Sequence, residues 1–78
     1  MTYNNENGTI RPRTFSNLEL GCLYCPHLTP AMASRRLKEW IIYNHTLVEM
    51  LKESGWNPRN RIYTPHQVAC IFKILGEP

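Results

Sequence analysis

Thr64-Pro65-x-Gln67 packs into four residues the signals that most firmly start a helix. The threonine hydroxyl caps a free amide, proline at the first helical position lacks the N–H that would go unpaired there, and glutamine returns to the threonine's own amide. Ser16-x-x-Glu19 repeats the reciprocal cap and Thr29-Pro30 repeats the hydroxyl and proline. A 78-residue chain punctuated this way is cut into short helices that must bury one another's apolar faces.

The spacing between these starts predicts where each helix runs and what it buries. The first covers Ser16 to Cys25, stopped by Pro26, with Leu20, Leu23 and Tyr24 inward and Gly21 leaving room for a second helix. The second covers Pro30 to Tyr43: Ala33, Leu37, Trp40 and Ile41 share one face, Ala31, Ser34, Arg35, Lys38 and Ile42 face away, and Arg36 falls at the border. The third starts at Asn44 or at Thr46, buries Leu47, Met50 and Leu51, and ends at Gly55. Trp56 to Tyr63 reads as a turn over Asn57-Pro58-Arg59-Asn60 and a short strand, the makings of a small wing. The last helix follows Thr64, with Val68, Ile71, Phe72 and Leu75 inward and Gly76 at its close. Trp40 and Trp56 are both expected in the core. The expected fold is mostly α, three to four helices around a helix-turn-helix-like core with a short wing-like turn or hairpin. Residues 1–12 are expected to be a flexible polar tail, because they offer little to bury, and residues 13–78 a single helical domain.

A chain of this length buries only about 60% of the surface its unfolded form exposes, so caps and aromatic anchors matter more than core volume. The formal net charge of +3 suits contact with nucleic acid or an acidic protein, and falls well short of a polybasic chain. The apolar runs are brief and the amino terminus is polar, which predicts neither a signal peptide nor a membrane-spanning helix. Three cysteines, two of them in one predicted helix, do not suggest a secreted disulfide framework, and a cytoplasmic location is expected.

Beyond these local signals, Arg13-Thr14-Phe15-Ser16, Glu19-Leu20, Leu23-Tyr24-x-Pro26, Thr29-Pro30-x-x-Ala33, Leu37-x-x-Trp40-Ile41, Leu47-x-x-x-Leu51-x-x-x-Gly55, Tyr63-Thr64-Pro65-x-Gln67-Val68 and Leu75-Gly76-Glu77-Pro78 form a longer pattern. It resembles a family of small bacterial proteins catalogued as domain of unknown function 4248, from about Arg13 to the end. The resemblance implies a bacterial single-domain protein and brings no activity with it. The chain departs from the family pattern at Pro12, where an aliphatic residue is usual, and at Gly21, where alanine is usual.

The feature that points furthest toward function is the predicted pair of helices joined by a short connection. In helix-turn-helix proteins the second helix enters the major groove, and side chains near its amino terminus reach base edges. Ser34, Arg35 and Lys38 are the candidates for bases, and Arg13, Arg36, Arg59 and Arg61 for phosphates. The expected partner is double-stranded DNA. The alternative is a protein partner or homodimer on the same scaffold, to which the outward Ile42 points. Cys22, Cys25 and His27 supply at most three zinc ligands, so no metal or cofactor is expected. His27, His45 and His66 lie in separate segments with no nucleophile beside them, and so short a domain leaves little room for a small-molecule substrate cleft; no catalytic residue is expected.

Overall fold

The computed structural model describes residues 11–78. Most of the tail expected over residues 1–12 therefore lies outside the described residues. The elements run β1 (Phe15–Ser16), α1 (Asn17–Tyr24), α2 (Pro30–Tyr43), α3 (His45–Glu53), β2 (Ile62–Tyr63) and α4 (Pro65–Leu75). The fold is mostly helical, as expected, with a helix-turn-helix-like pair in α1 and α2.

The helix starts are those written in the sequence. Ser16 Oγ accepts from Glu19 N at 3.0 Å while Glu19 Oε1 accepts from Ser16 N at 2.9 Å, and Thr64 and Gln67 repeat the exchange at 3.2 and 3.0 Å. Thr29 caps α2 through the Met32 amide. For α3 the cap is Asn44, whose Oδ1 accepts from Leu47 N at 3.0 Å, and not the Thr46-x-x-Glu49 alternative. Past Glu53 the chain turns back through Gly55, at φ 92°, with Gly55 N bonded to Lys52 O and Trp56 N to Leu51 O. Those two bonds close a left-handed helix end and drop Trp56 onto the last turn of α3.

One cluster forms the core: Phe15, Leu20, Leu37, Ile41, Leu47, Leu51, Trp56, Tyr63, Val68, Cys70, Ile71 and Phe72, with Tyr24, Val48, Met50, Ile74 and Leu75 packed around it. Two expected core positions are corrected. Leu23 is exposed, lying on the outer side of α1, and Trp40 is 38% exposed, resting edge-on against Tyr24 with ring centroids 6.2 Å apart. Tyr24 then meets Phe72 at 6.4 Å, and its hydroxyl donates to Gly76 O.

The strand after the turn does not fold back on a sequence neighbour. Ile62–Tyr63 pairs antiparallel with Phe15–Ser16, Phe15 opposite Tyr63 and Ser16 opposite Ile62. The entry into α1 and the exit from the turn are thereby fixed side by side.

Candidate nucleic-acid interface

That pairing brings three separate stretches of chain together around one groove. The start of α1 contributes Ser16, Asn17 and Leu18, the middle of α2 contributes Ser34 and Lys38, and the turn before β2 contributes Pro58, Arg59 and Arg61. The groove is open to solvent and encloses about 850 Å³.

Each wall has a local cause. Gly21 lets α1 and α2 come so close that a Cβ there would lie 2.8 Å from the Ala33 carbonyl. Asn17, at the first position of α1, is buried in the resulting seam; its Nδ2 donates to Ser34 O at 3.0 Å and to Ser34 Oγ, and its Oδ1 accepts from the Tyr63 hydroxyl. The Asn17 amide donates to Arg61 O at 2.7 Å, so the backbone under Arg61 is anchored to α1. The turn itself is held by Asn57, whose Oδ1 accepts from Arg59 N and whose carbonyl accepts from Asn60 N, both at 2.9 Å. An asparagine side chain bonded two residues on reproduces a backbone turn, and proline after it presets the backbone angle.

Lys38 spans the groove floor. Its Nζ donates to Pro58 O at 2.8 Å and Asn60 O at 3.1 Å, and lies 5.9 Å from the centre of the Trp56 ring. Burial, with the positive charge of Arg61 added to it, holds the Lys38 pKa below the ordinary lysine value. Arg59 and Arg61 are exposed on the same rim.

Of the seven residues singled out in the sequence, four meet here: Ser34, Lys38, Arg59 and Arg61. Two of them differ from expectation in what they face, because Ser34 turns to Asn17 and Lys38 to the turn carbonyls, so neither points freely outward from α2. Arg35 is exposed and makes no side-chain hydrogen bond or ion pair among the described residues; Arg36 pairs with Glu39 at 3.8 Å; Arg13 stacks on the Phe15 ring at 3.8 Å and donates to Thr14 O. Those three do not line the groove. Asn17 and Leu18 do line it and have no sequence signal as site residues; Asn17 owes its place to bonds with Ser34, Arg61 and Tyr63, far along the chain. Cys22 is half-buried and Cys25 buried, both as free thiols.

No curated protein and no solved structure matches the chain. The model of one family does match, over residues 11–78, nearly the whole length and every element described above. The chain belongs to that family, described as Domain of unknown function (DUF4248).

Proposed function

We propose that the protein binds double-stranded DNA through α2 and the arginine-bearing turn beside it. The observation that carries this reading is the meeting of Arg59 and Arg61 with Ser34 and Lys38 of α2, distant from them in sequence, on one groove, with Arg35 exposed on the same helix. Cations gathered on one face concentrate potential where a row of phosphates can use it, whereas scattered cations do not. The close α1–α2 pair and its short connection, Cys25 to Thr29, supply a scaffold of helix-turn-helix type. In this reading Arg59 and Arg61 neutralise phosphates and Arg35 reaches base edges, while Arg36 and Arg13, held by Glu39 and Phe15, play lesser parts.

The test is a titration against mixed-sequence duplex DNA over a range of salt concentrations, with Arg35→Ala and Arg59→Ala/Arg61→Ala variants alongside. Binding should weaken with salt at a log–log slope of about −0.9 per phosphate neutralised, and the double arginine variant should flatten that slope by roughly 1.8. Arg35→Ala should flatten sequence preference more than it flattens the slope. Absence of binding at low salt rejects DNA and turns attention to a protein partner on the outer side of α2, where Ile42 is 48% and Tyr43 85% exposed.

A further inference from the structure

We infer that Lys38 is a positioning residue that locks the Arg59–Arg61 turn to α2, and so sets the distance between the phosphate-binding arginines and the base-reading face of the helix. This rests on the DNA-binding reading, and it removes Lys38 from the residues that touch DNA.

The geometry is that of a staple. An ammonium group has three donors, and two of Lys38's are given to carbonyls on either side of Arg59, those of Pro58 and Asn60. The carbonyls belong to the one stretch that carries exposed arginines in the groove, and a charged donor bonds them more strongly than a neutral one. The ammonium lies 5.9 Å from the centre of the Trp56 ring, itself 3% exposed and bonded back to the last turn of α3. Lys38 thus reaches from α2 to the turn alongside a buried ring. On the far side of Arg59, the Asn17 amide fixes Arg61 O to the first residue of α1. The turn is clamped at two points to the two helices of the helix-turn-helix pair.

Such a clamp matters for duplex binding because the helix face and the turn must meet the groove and the phosphates at once. A turn already in place spares the ordering that binding would otherwise have to supply. A lysine bonded this way is also poorly placed to neutralise a phosphate, because reaching one would mean giving up both carbonyls.

The decisive experiment compares wild type with Lys38→Met, which keeps the apolar stem and removes the donors, Lys38→Gln as a second, less apolar variant, and Lys38→Arg, which restores a cationic donor. Two quantities are measured on each: amide hydrogen exchange at Arg59 and Asn60, whose N–H groups are bonded within the turn, and DNA affinity as a function of salt. Lys38→Met and Lys38→Gln should exchange those amides roughly tenfold faster, with helix amides unchanged, and bind DNA roughly tenfold more weakly, Lys38→Arg recovering part of both. The salt slope should move by well under the 0.9 or so expected for a lost phosphate contact, and Lys38→Met should add nothing once Arg59 and Arg61 are alanine. Unchanged exchange, or a slope reduced by about 0.9 with losses that add to those of the arginines, overturns the inference and makes Lys38 a direct ligand. If wild type binds no DNA at any salt, the DNA reading falls, and with it the role in binding; the exchange arm then decides the staple by itself.

Discussion

The Tyr63 hydroxyl donates to Asn17 Oδ1 at 2.6 Å, joining the end of β2 to the first residue of α1 across 46 positions of sequence. Both groups are buried, and Asn17 passes the connection to α2 through Ser34. Replacing Tyr63 by phenylalanine keeps the ring and leaves a buried amide oxygen with no donor, so Tyr63→Phe should destabilise the fold by about 1–3 kcal/mol in chemical denaturation. The pH dependence has a definite sign. Burial raises the Tyr63 pKa above its ordinary value near 10, so above that pH the unfolded chain gives up its proton first and stability falls as pH rises. Tyr24, pushed up to about 12 by burial and by Glu77, acts in the same direction. Tyr63→Phe should therefore show a shallower alkaline decline than wild type between about pH 9 and pH 11; Tyr24 contributes to what remains, and Lys38, whose lowered pKa acts in the opposite direction, offsets part of it.

That bond also marks the boundary of what the sequence can reveal. Helix starts are local chemistry, and Ser16 with Glu19, Thr29 with Pro30 and Thr64 with Gln67 stand within three residues of each other, so they are readable in place. β1 is two residues long with no alternation to read, and exists because Ile62–Tyr63 returns beside it. Trp40 shares the periodicity of the buried face of α2 yet is 38% exposed, its ring edge-on to Tyr24; periodicity gives the face and not its edge. The same holds for the groove. Its cations were visible as residue types, but the seating of Lys38 on Pro58 and Asn60, which changes its role, follows from where the turn folds and not from any spacing.

Gly21 carries a constraint of a different kind. A methyl added there would meet the backbone of Ala33 and Ser34 at 2.8–2.9 Å, and backbone atoms cannot rotate away. Gly21→Ala must spread α1 from α2 and should lower stability by about 1–3 kcal/mol, with Gly21→Val losing more because its branches enter the same seam. Because Asn17 and Ser34 lie in that seam, the spreading should also appear as faster hydrogen exchange at the start of α1. Wild-type melting in Gly21→Val would show that the helices are not in contact there.

Glu19 offers a test of the first helix cap. Its carboxylate is held below the usual value near 4.5, first by the Ser16 amide it accepts from, then by the Ser16 hydroxyl and the charge of Arg13, with burial opposing them. A depressed folded pKa means that the stabilisation is present above about 4.5 and is lost as pH falls through the folded value. Glu19→Gln keeps the geometry of the capping box but carries no charge to lose. Its melting temperature should fall less than that of wild type between about pH 7 and about pH 3, and equal falls would remove Glu19 from the acid limb.

The two tryptophans should separate in the same assay. Trp56 is 3% exposed at the turn-back of α3, so Trp56→Ala should cost about 3–5 kcal/mol, the range for a large buried aromatic. Trp40, more than a third exposed, loses less burial and one edge-on contact with Tyr24, and Trp40→Ala should cost about 1–2 kcal/mol. The conservative change at Trp56 tests the packing more sharply. Its indole Nε1 is buried and has no hydrogen-bond partner among the described residues, so phenylalanine removes a desolvated donor together with part of the ring. The first effect favours the variant and the second opposes it, each on the order of 1–2 kcal/mol, which should leave Trp56→Phe within about 1 kcal/mol of wild type. A loss as large as that of Trp56→Ala would mean that the indole N–H is bonded in solution and that its environment, next to Lys38 and the arginine turn, is more polar than the packing around it implies.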